Sequence, residues 1–236
     1  MIQFVSGGTL MTISTLVHTS RIGFAFVAGT ALMLSACADI GKSVESGFMY
    51  KDMPIAAGSA TAGDGQAVTL KGSPIDLSGP GIKVGDKLHA VAVTKGDLSL
   101  VPITQTAGKG KVRIISIVPS LDTKVCEQQT HYLSEKNNGL DRMIELITVS
   151  VDTPFAQKRF ADEAKISNVT FLSDYRAAEF GKAHGLFLKG PHILTRALLV
   201  VDPEDTIRHL QLSPELAQLP DLDEAFRVAR KLITKG

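Results

Sequence analysis

Short apolar blocks alternate with polar turns through most of the chain, and their spacing predicts the elements. Val112 to Val118 is a β-branched run of the kind that fills a buried parallel strand, and Pro119 ends it because proline brings no N–H to a ladder. Met143 to Val151 (MIELITVSV) predicts a second buried strand, Val169 to Leu172 a third and Ala197 to Val201 a fourth. The fourth is closed by Asp202-Pro203-Glu204-Asp205, after which Thr206 to Leu212 can pair back as a hairpin. Upstream, Val68 to Lys71 and Ile75 to Leu77 alternate around Gly72-Ser73-Pro74 and predict a β-hairpin, with shorter strands at Ala90 to Val93 and Leu98 to Ile103. Helices are predicted from Lys124 to about Asn137, from Pro154 to about Ala164, from Ala177 to His184 (ended by Gly185) and over Asp223 to Ile233. Val125, Tyr132 and Leu133 form the expected core stripe of the first, and Ala225, Val228, Ala229 and Leu232 that of the last. Strands alternating with helices, then a terminal hairpin and helix, predict an α/β layer structure.

The pattern stops before Ala67. Within residues 1–36 Arg21 is the only charged residue, and the short apolar run Ile22 to Leu34 ends at Leu34-Ser35-Ala36-Cys37, the layout of a secretory signal and too short for a comfortable membrane span. Leu-Ser-Ala-Cys resembles a bacterial lipoprotein cleavage box, which implies that Cys37 becomes the lipidated first residue of the mature chain. Met11 is an alternative start. Ala38, where an aspartate would imply retention at the inner membrane, favours the outer membrane of a Gram-negative host. Residues 37–66 are rich in Gly, Ser, Ala and Asp without periodicity and predict a flexible tether, with Phe48, Met49 and Tyr50 either packed on the body or at an interface. The expected plan is therefore a signal over 1–36, a lipidated cysteine and tether over 37–66, and one folded domain over 67–236.

Charge narrows the partners. Lys and Arg total 25 against 24 Asp and Glu, a formal net charge of +1, which gives no footprint for nucleic acid or a polybasic membrane patch. Two cysteines, Cys37 and Cys126, exclude a disulfide framework. His89, His131, His184, His192 and His209 lack the spacing of zinc ligands and most of them read as surface or loop residues, and no phosphate loop or dinucleotide fingerprint occurs, so neither metal nor cofactor is expected.

The chemistry concentrates after the first buried strand. Ser120 to Thr123 turn the chain and cap a helix, and with Thr123 as N-cap Cys126 falls at the third helical position. There its sulfur faces unpaired backbone N–H groups and the positive end of the helix dipole, which favour thiolate over thiol. Pro119-x-x-x-Thr123-x-x-Cys126 at a strand-to-helix turn resembles the peroxiredoxins, and Ser120-Leu-Asp-Thr-Lys-Val-Cys-Glu-Gln-Gln-Thr130 resembles their thiol peroxidase branch, the atypical two-cysteine type. The resemblance covers about Val68 to Ile233 and implies a thioredoxin-like fold: a central mixed sheet flanked by helices, with an N-terminal β-hairpin. It implies reduction of hydrogen peroxide and organic hydroperoxides through a sulfenic acid at Cys126. Thr123 would offer its hydroxyl to the attacked oxygen and Pro119 would shield the sulfur. Arg196, before Ala-Leu-Leu-Val-Val-Asp, would bring a guanidinium over the cysteine; Arg113 and Arg159 are weaker candidates.

A second stretch, Ser150-Val-Asp-Thr-Pro-Phe-Ala-Gln-Lys-Arg-Phe160-Ala161, resembles the family's signature around the resolving cysteine, whose place is taken here by Ala161. The expectation is a one-cysteine enzyme whose sulfenic acid is reduced by an external thiol or a thioredoxin-like partner. The resemblance also implies a homodimer. An alternative on the same fold is a non-catalytic peroxide sensor or redox-responsive binding protein, which would oxidise once without turnover. A cysteine–histidine hydrolase is disfavoured, since acyl transfer needs neither the proline nor the threonine at these spacings.

Overall fold

The structure is a computed structural model that describes residues 47–234. The expected signal of residues 1–36 and the expected lipidation site, Cys37, lie outside the described residues. A leading hairpin, β1 (Ala67–Leu70) and β2 (Ser73–Ser78), precedes a second one, β3 (Ala92–Thr94) and β4 (Leu100–Pro102). Then follow β5 (Arg113–Ile117), α1 (Lys124–Glu135), β6 (Glu145–Ser150), α2 (Pro154–Ala164), β7 (Thr170–Ser173) and α3 (Glu179–Ala183). The chain continues through two short strands, β8 (Phe187–Leu188) and β9 (Ile193–Leu194), to β10 (Ala197–Val201), β11 (Ile207–Leu212) and α4 (Leu222–Ile233). The predicted strands and helices are all present; β8 and β9, two residues each, are too short to leave a period.

The main sheet runs β11-β10-β5-β6-β7-β3-β4, with β5, β6 and β7 parallel and the flanking strands antiparallel, so it is mixed. A smaller antiparallel sheet, β1-β2-β8-β9, carries the leading hairpin. Both faces of the central strands are covered. Ile115 and Ile117 join Ile147, Val149 and Leu199 in a core with Leu77, Val93, Phe180 and Leu186, while Ile114, Leu146 and Leu198 point the other way onto Leu133 of α1 and Ala225, Phe226 and Ala229 of α4. Each such side chain, fully buried, contributes roughly 1.5–3 kcal/mol of apolar transfer, which is why β5 reads as a continuous apolar run. Gly185, which stops α3, has φ +67°, and a Cβ there would lie 2.6 Å from the carbonyl oxygen of Pro80.

Three expectations change. The buried face of α1 is Cys126, Gln129, Thr130 and Leu133, with Val125 and Tyr132 only half-buried. The stripe is rotated by one residue because three of its members are polar or sulfur-bearing and carry no hydropathy signal. The described part of the expected tether, from Gly47 to Gln66, is also not free. Phe48 stacks on His131, the Tyr50 hydroxyl donates to Glu135, and the backbone of Lys51 is held on both sides by the Gln128 amide. Further on, Ala56 N–H donates to Leu219 O, Ala60 N–H to Leu212 O and Gly63 N–H to Gly185 O, and Ala56 and Ala62 are buried. Small side chains let this segment lie flat and pair through its backbone, an interaction that composition does not reveal. Lastly, His131 and His184 are buried rather than on the surface.

Two buried titratable groups beside α3 set opposing pH slopes. Burial pushes the Asp174 carboxyl up to about 6 against two N–H donors, Phe180 and Gly181, and burial pulls His184 down to about 4, where it sits neutral between Phe180 O and the N–H of His89. Asp174, raised above its unfolded value, stabilises the fold at low pH and loses that contribution as pH rises toward 6; His184, depressed, stabilises at neutral pH and loses it as pH falls toward 4. His209, also pulled down by burial, acts in the same sense as His184. Urea midpoints should therefore rise only weakly between about pH 4 and 6.5. Asp174→Asn should steepen that rise; an unchanged profile would show that Asp174 does not titrate there.

Candidate active site

Register places the site. β10 runs antiparallel to β5 with Ala197 opposite Ile117, so Arg196, the residue before β10, lies where β5 gives way to Val118 and Pro119. β6 runs parallel to β5 with Val149 beside Ile117, so Ser150 and Asp152 emerge at that same edge. The carboxyl ends of parallel strands and the turn into α1 thus meet at one end of the sheet, where open α/β sheets usually hold their ligands.

The turn is pinned by Asp152. One carboxylate oxygen accepts from the Ser120 hydroxyl at 2.7 Å, and the other accepts from the Leu121 N–H and the Ser150 hydroxyl, both at 2.8 Å. The chain then enters α1 at Thr123. Its backbone occupies the N-cap position, but its side chain caps no helix N–H; the hydroxyl lies 2.9 Å from Cys126 Sγ and 3.1 Å from Ser120 O, so it is turned toward the sulfur. The first intrahelical bond is Glu127 N–H to Thr123 O, which leaves the N–H groups of Lys124, Val125 and Cys126 ahead of the ladder, at the positive end of the helix.

Arg196 closes the site from above. Its guanidinium is 2 % exposed; Nε donates to Leu216 O at 2.9 Å, Nη1 to Gln129 Oε1 at 2.6 Å, and Nη2 lies 3.3 Å from Cys126 Sγ. No carboxylate among the described residues pairs with it, since the ion pairs of the domain all lie elsewhere. A buried cation without an anion is costly, and the atom beside it able to carry negative charge is the sulfur. Gln129 in turn accepts from Arg196 and donates to Ser116 Oγ at 2.8 Å, which fixes the fork. Cys126 is wholly buried, in a cluster with Val118 and Leu121 against which Phe160 and Phe171 pack; Pro119 is buried beside them, while Thr123 is exposed.

Of the residues singled out from sequence, the structure brings Pro119, Thr123, Cys126 and Arg196 together. Arg113 is at the far end of β5, opposite Val201, where it pairs with Asp205, and Arg159 is exposed on α2 and 3.5 Å from Asp122 at the rim of the turn. Ala161 lies in α2 next to Phe160. Sequence reasoning missed Gln129 and Asp152. Gln129 had a signal, because i+3 from Cys126 shares its helical face; Asp152 was visible only once β6 was known to lie parallel to β5.

A cysteine at the mouth of a helix, under a guanidinium and beside a hydroxyl, is the layout of a thiol-based redox protein. The Redoxin family matches residues 83–226, which places the chain among the redoxins. It is 42% identical over 164 residues to the thiol peroxidase of Halalkalibacterium halodurans, covering 70% of this chain and 97% of that one. It is 40% identical over 173 residues to the thiol peroxidase of Aquifex aeolicus, covering 71% and 99%. Among solved structures, a peroxiredoxin-like protein from Aquifex aeolicus is 37% identical with a TM-score of 0.65, covering 70% of this chain and 96% of that one. The thiol peroxidase from Chromobacterium violaceum, at 17% identity and a TM-score of 0.61, covers 72% of this chain and 98% of its own and shares the fold. The chain belongs to the thiol peroxidase family and is a peroxiredoxin-class enzyme with the thioredoxin-like fold.

Proposed function

We propose that this protein reduces hydrogen peroxide and organic hydroperoxides by a one-cysteine mechanism at Cys126. The observation that carries this is the buried Cys126 sulfur held between the Thr123 hydroxyl at 2.9 Å and Arg196 Nη2 at 3.3 Å. The Cys126 thiolate attacks one peroxide oxygen; the S–O bond forms as the O–O bond breaks, and the second oxygen leaves as hydroxide or alkoxide and takes a proton to become water or an alcohol. Charge moves from sulfur to the departing oxygen, so the Arg196 guanidinium, charged at any physiological pH, stabilises the whole path. The free N–H of Cys126 and the Thr123 hydroxyl orient the attacked oxygen, and Pro119 keeps water from the sulfur. The names of the similar proteins support the reading. Cys126 is the free thiol of the described residues, so its sulfenic acid is reduced from outside.

Stopped-flow mixing with one equivalent of hydrogen peroxide should oxidise Cys126 faster than a solvent-exposed thiol, to a sulfenic acid that dimedone labels and mass spectrometry locates on the Cys126 peptide. Oxidation no faster than that of a solvent-exposed thiol would reject the proposal.

The proposed setting is the bacterial cell envelope, with Cys37 lipidated and the domain assembled as a homodimer. The box at Leu34 to Cys37 supports the first, and Phe155 and Tyr175, exposed apolar side chains, support the second. No described helix is long and apolar enough to cross a membrane. Intact-mass spectrometry of protein extracted from membranes should show cleavage before Cys37 plus acyl chains, and native spectra a dimer. An intact N-terminus without lipid would remove the anchor.

A further inference from the structure

The segment that enters the domain at Gly47 crosses the outer side of α1, the helix that carries Cys126. Gly47 and Phe48 share a cavity lining with Glu127 of α1 and Phe160 of α2, Phe48 stacks on His131, and Glu135 and Gln128 hold Tyr50 and Lys51. Ala56 and Ala60 then pair with Leu219 and Leu212, past α1 at the end of β11 that lies beside the site. Phe48 and Tyr50 are half-buried and Ala56 is buried, whereas two large apolar side chains point outward: Met49 is 83% exposed and Ile55 59%. Lys51 and Asp52, exposed between them, offset each other in charge, so the outer side of the segment offers apolar contact without a net field. The peroxide step makes no use of it.

We propose that this surface docks on a lipid bilayer and seats the domain with α1 toward the membrane. The inference rests on the reading that Cys37 is lipidated. Chain length then limits what the surface can face. Cys37 and Gly47 are ten residues apart, and ten residues reach at most about 35 Å whatever path they take. Had the attachment begun at Ala67, thirty residues could have reached about 100 Å. A compact domain of this size is about 40 Å across, so half its girth is about 60 Å. The anchor can therefore lie at the face where the segment runs or at its flanks, and cannot be carried round to the far face of the sheet. An acyl anchor supplies one contact with lipid, and apolar side chains that enter the interface supply a second. Met49, two residues after Gly47, and Ile55 are placed to make it. A bilayer is the occupant, rather than a second copy or another protein, because the covalent anchor keeps it within reach of this face at all times. Thr123, exposed at the mouth of the site, is one helical turn from Glu127, so the opening toward Cys126 lies at the rim of the docked face.

The chain contains no tryptophan, so a single introduced one reports its own surroundings. Full-length protein, its acyl chains verified by intact mass, is reconstituted on phosphatidylcholine vesicles with and without bromine on the lipid tails. Met49→Trp and Ile55→Trp should emit at shorter wavelength and be quenched by the brominated lipid at least about twofold more than Val84→Trp. Val84, 56% exposed, is the control because it precedes Gly85, whose N–H donates to Ile207 O at the end of β11 away from the site. All three substitutions are of exposed side chains, and each variant should be oxidised by hydrogen peroxide at the parent rate, which establishes that it is folded. Quenching that is equal at the three positions, greatest at Val84→Trp, or absent from all of them in protein that carries its lipid would overturn the proposal. A mass without acyl chains would be a different result, one that removes the anchor beneath it.

Discussion

Arg196→Met should slow oxidation of Cys126 by hydrogen peroxide by about 10²- to 10³-fold, the loss seen when one preorganised donor is taken from a developing oxyanion. Methionine keeps most of the volume, and the side chain it replaces touches the sulfur at 3.3 Å, so the loss falls on the chemical step. Stability should move the other way or stay level. The guanidinium is a buried cation without a carboxylate partner, whose removal relieves a desolvation cost; what is forfeited is its donation to Leu216 O and Gln129 Oε1. We expect thermal stability within about 1 kcal/mol of the parent. Arg196→Lys should restore only part of the rate, because an ammonium cannot reach the carbonyl, the amide and the sulfur in one fixed geometry. Stopped-flow oxidation beside a urea titration checks both halves. A variant that oxidises normally would assign the role to the helix terminus and Thr123 alone.

Asp205→Asn should destabilise the fold by about 2 kcal/mol: Arg113 is fully buried but the Asp205 side chain is about a third exposed, so solvent discounts the scale on which breaking a buried pair leaves an unmatched charge. Arg113 is fully buried at the start of β5, and besides Asp205 it donates only to the carbonyls of Ile103 at 3.4 Å and Asp202 at 3.2 Å, with its Nε unpaired. Asparagine keeps the shape and tolerates the φ of +66° found at this position, so the substitution tests charge rather than backbone strain. The peroxide step should be unaffected, since Arg113 and Cys126 lie at opposite ends of β5. A loss below about 1 kcal/mol would show that water already shields the cation.

The two arginines show what could be read from sequence. Both were candidates for the cation, and only adjacency to a motif preferred Arg196; the antiparallel register of β10 on β5 gives that preference a physical basis. Strands and helices with an apolar period were legible because burial on one face or two leaves a repeat: β5, β6, β10, α2 and α4 lie within a residue or two of where they were expected. What was illegible had no hydropathy signal. Gln128, Gln129 and Thr130 are buried through hydrogen bonds, and Asp152 acts across strands. His131 carried no sign of burial because its partners, Glu135 and Phe48, are one helical turn and a distant segment away. The N-terminal segment looked like a tether because its attachment is made mainly of backbone.

That attachment has a bearing on how the protein behaves in a test tube. β11 is the outermost strand of the main sheet, and its far end is met by the Ala60 N–H on Leu212 O, by the Ser59 hydroxyl on the Leu212 N–H, and by Ala56 and Gly58 carbonyls that accept from the Gln211 amide. An open strand margin is a template for another chain. Residues 56 to 60 are therefore a guard against self-association, and a version trimmed to Ala67 for convenience would carry an uncovered margin into every concentrated solution.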